Sequence, residues 1–242
     1  MIEGNERIDA DLLYVRALLL QALLLDLDGT LIDTPQAIVD IAQATLAALG
    51  RDPLPAQQIR DTIGLALPVA LGSLLGTGPA GASEAVEIYR VLWRAQVTPR
   101  IPHLLYPGVR DGLRCLSRAG LRLAVVTGKA QDGAEATVQA MGMADLFEVV
   151  LGYTSVPNPK PAPDLALEAL RRLALPAAAA LVVGDAHHDL LMANAAGVRA
   201  VACTWGAQPE EALLACAPAF VARSFPEVVR IALDLATLPI PL

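Results

Sequence analysis

Short, unbroken apolar runs punctuate this chain and predict buried strands over 20–27, 121–126, 147–151, 180–183 and 198–203. Between and after these runs, apolar residues recur at the three-to-four spacing of one helix face. That rhythm predicts helices over 109–119, 131–141, 164–173, 189–196 and 225–235. Strands alternating with helices call for a parallel sheet covered by helices on both sides. The stretch from 33 to about 104 breaks the alternation. It carries helical spacing only, over 35–49 (Ile38, Ile41, Ala42, Thr45, Leu46, Leu49), 55–63, 68–75 and 83–96. Gly- and Pro-rich breaks separate these segments at Arg51-Asp52-Pro53, Gly64 and 76–81. The expected fold is α/β: a doubly wound, Rossmann-like parallel-sheet core over 17–33 and 105–242, interrupted by an all-helical domain over 34–104. Residues 1–16 read as a polar N-terminal extension.

The first strand stops abruptly, in Leu23-Leu24-Leu25-Asp26-Leu27-Asp28-Gly29-Thr30. Side chains alternate along a strand, so Asp26 and Asp28 point the same way. Charge at the edge of a core is costly, and ligands of open parallel sheets bind at the carboxyl ends of the strands. Three further polar motifs follow where strands should end. They are Val125-Val126-Thr127-Gly128-Lys129, Asn158-Pro159-Lys160-Pro161-Ala162-Pro163-Asp164, and Gly184-Asp185-Ala186-His187-His188-Asp189.

Together, the four motifs resemble those of the haloacid dehalogenase superfamily of phosphohydrolases, and the resemblance runs from about 20 to 236. Asp26, Asp28, Asp185 and Asp189 brought together would repel, and one or more would be forced to protonate. A divalent cation removes that problem, and oxygen-only ligands beside a phosphate favour Mg²⁺ over zinc. Lys160 and the Thr127 hydroxyl offer donors to phosphoryl oxygens, and Gly29 and Gly128 let backbone approach a ligand.

The resemblance assigns the roles. It implies that Asp26 is the nucleophile forming an aspartyl-phosphate and Asp28 the general acid and then base. Asp26, the Asp28 carbonyl and Asp185 would ligate Mg²⁺. Asp189 would orient Lys160 or a metal-bound water, and Thr127, Gly128 and Lys160 would hold the transferring phosphoryl group. The helical insert resembles the cap of phosphoglycolate phosphatases and β-phosphoglucomutases, which closes over the site and excludes water. Thr34-Pro35 and Tyr106-Pro107-Gly108 would be its hinges. Arg60, in Arg60-Asp61-Thr62-Ile63-Gly64, matches a substrate-facing cap segment; it also fits a surface arginine on a polar helix face.

The implied function is Mg²⁺-dependent hydrolysis of a small phosphorylated metabolite, closest to phosphoglycolate phosphatases. A sugar-phosphate mutase, a pyrophosphatase and a nucleotidase are alternatives within the superfamily. A dehalogenase fits less well, because that chemistry lacks a second aspartate at the position of Asp28. A non-catalytic metabolite-binding protein on the same fold is the alternative from another class.

Composition narrows the partners. A net charge of −7 and a pI near 4.9 argue against nucleic acid, which Lys and Arg patches hold. No apolar run reaches the roughly 18 residues of a membrane span, so no membrane partner is expected. The apolar stretch Leu18 to Leu25 imitates a signal peptide. Glu3, Glu6, Asp9 and Asp11 precede it and Asp26 and Asp28 follow, so no leader is expected. Cys115, Cys203 and Cys216 show neither metal nor disulfide spacing, which fits a reducing, cytoplasmic setting. A monomer or homodimer is expected.

The chain has sixteen arginines but only two lysines, Lys129 and Lys160, and both fall inside the motifs. Lys129 reads as a solvated or helix-start lysine, although Thr-x-Lys recurs in phosphoglycolate-phosphatase-like members. His187 and His188 read as loop residues beside the site, and Trp205-Gly206 as either a loop near the pocket or core packing.

Overall fold

The structure is a computed structural model that describes residues 19–237. The N-terminal extension expected over 1–16 lies outside the described residues. Six strands form one sheet: β1 (Ala22–Leu25), β2 (Arg122–Val126), β3 (Phe147–Leu151), β4 (Ala180–Gly184), β5 (Arg199–Cys203) and β6 (Phe220–Ala222). Their order is β3-β2-β1-β4-β5-β6, and every pairing is parallel.

Side-chain alternation splits the apolar strands between two cores. Leu23, Leu25, Val125 and Val183 face one side, where α5 (Val109–Arg118) and α10 (Phe225–Ala236) bury Leu113, Leu116, Phe225 and Val228. Leu24, Ala124 and Val182 face the other, against Leu165, Ala169 and Leu190 of α7 (Asp164–Leu173) and α8 (His187–Ala195). Burial on both faces explains why these strands read as continuous apolar runs. Helix α6 (Gln131–Ala140) joins β2 to β3, and the short α9 (Glu210–Leu214) joins β5 to β6. Neither α9 nor β6 was expected. At five and three residues they are too short to establish a period, and two of the three β6 residues are only half-buried at the sheet edge.

Between β1 and β2 the chain forms α1 (Pro35–Ala48), α2 (Ala56–Arg60), α3 (Leu67–Leu75) and α4 (Ser83–Gln96) with short 3₁₀ turns. These helices pack on a third core of their own, including Val39, Ile41, Ile59, Leu71, Val86 and Tyr89. The chain leaves and re-enters the sheet layer side by side. Asp33 N donates to Leu104 O at 2.7 Å, and Tyr106 N donates to Leu31 O at 3.1 Å. Among the described residues no helix is long and apolar enough to cross a membrane.

Candidate active site

The strand order reverses at β1, so connections run to opposite sides of the sheet from β1 and β4. Such a switch point opens a crevice at the strands' carboxyl ends. Register then aligns the motif residues there. Leu25 lies opposite Val125 of β2 and Val183 of β4, so Asp26 is level with Val126 and Gly184, and Thr127 and Asp185 follow one residue further along, at the same end of the sheet. Asp26 N still donates to Val183 O at 3.0 Å, and Thr127 N to Leu151 O at 3.0 Å, which anchors both residues to the strand layer.

Lys160 arrives from the Pro-rich loop that precedes α7. Its side chain is fully buried, and its Nζ donates to Asp26 Oδ1 at 2.7 Å and to Asp189 Oδ1 at 2.5 Å. Asp189 sits in the first turn of α8, and its Oδ2 accepts from Ala186 N at 3.1 Å. Asp185 accepts from Thr30 Oγ1 at 2.7 Å and from Ala207 N at 2.7 Å. Gly29 and Gly206 close in on the same carboxylate. A Cβ on Gly29 would stand 2.1 Å from Asp185 Oδ2, and one on Gly206 would stand 2.3 Å from it, so only glycine fits at either place.

One oxygen from each of Asp26, Asp185 and Asp189 lies within 4.8 Å of the other two, and all three residues are buried. Burial is the main cause that pushes the Asp26 carboxyl up to about 7; Lys160 pulls it down, while Asp189 and Asp28 push it further up. Asp185 is driven well above the usual carboxylate range, first by burial and then by Asp189 and Asp26. Burial works against the Lys160 ammonium, but the Asp189 and Asp26 carboxylates outweigh it and raise its pKa. Two of the three carboxylates share one buried lysine, and Asp185 has no cation of its own among the described residues. The surplus of negative charge, presented entirely through oxygen, is the donor set a hard divalent cation requires.

The Asp28 carboxylate stays outside this trio. Thr34 Oγ1 donates to its Oδ1 at 2.7 Å, and Lys129 Nζ pairs with its Oδ2 at 2.8 Å. Lys129 is not the solvated lysine expected. Its side chain is 14% exposed, and its ammonium lies 4.1 Å from the Trp93 ring centroid on α4. It therefore links the first motif to the insert. Thr127 is buried, and because α6 begins at Gln131 it is no helix cap.

His187 and His188 are not loop residues: they open α8. His187 N and Nδ1 both contact Gln208 Oε1, at 2.9 and 2.8 Å. Burial, then the neighbouring His187, lowers His188 to about 4. The Trp205 indole N–H donates to Thr30 O at 3.2 Å, beside the first motif.

The insert meets the core over Gly128. A Cβ there would stand 2.6 Å from Gly64 O and 2.7 Å from Leu65 O. Above this contact a cavity of about 440 Å³ runs from Asp26, Asp28 and Thr127 into the helices, reaching Tyr89, Arg90, Trp93 and Arg94 of α4. Arg60 does not line it. On α2 the adjacent Ile59 is buried inward, and Arg60, about 100° further round the helix, bonds Gln36 Oε1 at 2.6 Å on the exposed side.

Residues 23–203 match the family model for haloacid dehalogenase-like hydrolases. The probable phosphatase IndB of Dickeya dadantii is 41% identical over 206 residues, spanning 84% of this chain and 90% of that protein. The phosphoglycolate phosphatase of Rhodobacter capsulatus is 36% identical over 187 residues, spanning 76% of this chain and 84% of that one. Among solved structures, a haloacid dehalogenase-like family hydrolase from Streptococcus pneumoniae superposes with a TM-score of 0.75 at 29% identity, covering 88% of this chain and 98% of that one. A predicted phosphatase from Clostridium acetobutylicum shares the fold at a TM-score of 0.80, 21% identity, and coverage of 90% and 100%. The chain belongs to the haloacid dehalogenase-like hydrolases, as an enzyme on their phosphatase side.

Proposed function

We propose that this enzyme hydrolyses a small phosphate monoester in two displacements at Asp26, with Mg²⁺ as cofactor. The observation that carries the reading is the buried Lys160 ammonium held between Asp26 and Asp189, with Asp185 beside them. Lys160 occupies Asp26 Oδ1, and no hydrogen bond from a described residue engages Oδ2. That second oxygen attacks phosphorus, and the ester oxygen departs as an alcohol with a proton from Asp28. Water then attacks the aspartyl-phosphate, giving its proton to Asp28 and releasing inorganic phosphate. Lys129 Nζ, 2.8 Å from Asp28 Oδ2, holds this carboxylate in position for both steps.

Mg²⁺ would be held by Asp26, Asp185 and the Asp28 carbonyl, and it would offset the negative charge of the phosphoryl oxygens. Thr127 and Lys160 supply hydrogen-bond donors toward the same group, while Asp189 holds Lys160 in place. The insert, over 34–104, acts as a cap that shuts the site from water.

Relatives named phosphoglycolate phosphatase support a small phosphate ester as substrate. Three free cysteines among the described residues are in keeping with a reducing cytoplasm. The test is turnover of p-nitrophenyl phosphate with Mg²⁺. EDTA should silence it, fresh Mg²⁺ should restore it, and Asp26→Asn should abolish it. Substantial turnover by D26N would refute covalent catalysis, and full activity in chelator would refute the metal.

A further inference from the structure

The cavity above the catalytic row is large and mostly apolar where it leaves the motifs. Ile38, Ile59, Leu71, Leu74, Tyr89 and Trp93 line it, and it is continuous with Asp26 and Thr127. Its volume of about 440 Å³ falls in the range of sites that enclose a whole organic ligand, roughly 300–1,000 Å³. A two-carbon acid phosphate would leave much of that space to water lying against apolar walls, with little gained from their burial.

The charges that line the cavity do not provide a buried receptor for a short carboxylate either. Lys129 is committed to Asp28, Arg90 is 3.6 Å from Glu87, and Arg94 is exposed. Tyr89 and Trp93, one turn apart on α4, stack at 5.8 Å between centroids and 14° between planes, and the pair adds aromatic surface to the apolar lining of the cavity.

We propose that the substrate is a phosphate monoester whose alcohol carries a ring-sized apolar body, seated in this cavity against Trp93, Leu71 and Leu74. This rests on the phosphatase reading above and narrows it. The phosphoryl group lies on the Asp26 row, and the body enters the insert. Each added methylene in such a pocket changes kcat/KM by about 10–200-fold.

The experiment compares 2-phenylethyl phosphate with ethyl phosphate and phosphoglycolate, all with Mg²⁺. These esters release alcohols of similar acidity, so leaving-group strength does not confound the comparison. The phenylethyl ester should be favoured in kcat/KM by about 10-fold or more over both. Leu74→Asn, at a half-buried position outside the catalytic motifs, should lower kcat/KM for the phenylethyl ester by about 10-fold or more relative to ethyl phosphate and so erase that preference. Equal or better turnover of phosphoglycolate or ethyl phosphate by the unaltered enzyme overturns the substrate class and leaves the phosphatase reading standing. A preference that survives in folded L74N overturns the assigned cavity. No turnover of these three esters or of p-nitrophenyl phosphate overturns both readings together.

Discussion

Replacing Lys160 with Met would remove a charge but keep an unbranched side chain of comparable length. The ammonium it deletes is fully buried and bonded to two carboxylates, at 2.7 and 2.5 Å. Breaking a buried pair from one side typically costs about 3–5 kcal/mol, because the partner charge is stranded. Domains are stable by about 5–15 kcal/mol, so K160M should fold but with a large share of its margin gone.

The pH dependence follows from Asp26. Its carboxyl is held up near 7 mainly by burial, with Lys160 as the force pulling it down. Without the lysine it rises further above its unfolded value of 3.8. A raised folded pKa means that the native state keeps a proton the unfolded chain releases, so stability is present at acid pH and lost as pH rises through the folded pKa. Each pH unit of that difference is worth about 1.4 kcal/mol. The K160M loss, measured by urea unfolding in EDTA, should therefore be about 1 kcal/mol greater at pH 8 than at pH 5. A loss under about 1 kcal/mol at pH 8, or a larger loss at pH 5 than at pH 8, would show that Lys160 does not neutralise this cluster.

Mg²⁺ binding should release protons near pH 6.5, because Asp26 and Asp185 are both raised and must ionise to ligate. Calorimetry in two buffers of different ionisation heat reads this directly, and identical heats would contradict it. Asp28→Asn should lower kcat by about 10²–10⁴, the usual share of general acid–base help, with the fold intact by circular dichroism. A loss below tenfold would remove Asp28 from proton transfer. Gly128→Ala should push the insert off its seat, since its Cβ would meet two main-chain oxygens at 2.6 and 2.7 Å. Such overpacking costs about 1–3 kcal/mol. The readout is a fall in kcat/KM together with a shift in Trp93 fluorescence, and unchanged values for both would deny the contact.

Much of the core was legible because its strands are buried on both faces. β3, α4 and α7 begin and end where the periodicity places them. Asp26, Asp28 and Asp185 were legible for the same reason, since they interrupt or end an apolar run at a strand end, and Lys160 by the proline-rich loop around it. What stayed hidden lacks such contrast. Ala207 N, which donates to Asp185, follows β5 with no charged residue to mark it, although Trp205-Gly206 beside it reads as a loop near the pocket or core packing. The Tyr89, Arg90, Trp93 and Arg94 set shows only the spacing of an ordinary amphipathic helix, and the cavity it lines exists only once four helices fold together. Arg60 matches its motif by sequence, yet a single position along α2 separates the buried Ile59 from the half-buried Arg60, which turns to Gln36. Lys129 was misjudged because its partners, Asp28 and Trp93, are far from it in sequence.

The scarcity of lysine turns amine chemistry into a reporter of this one crevice. Apart from the α-amino group, an acylating reagent finds just two primary amines in the chain, and both are engaged with the carboxylates of the first motif. Lys160 is sealed, whereas Lys129 retains a sliver of solvent contact beneath Trp93. Mass added at Lys129 would thus report how open this crevice is to solvent, without any engineered label.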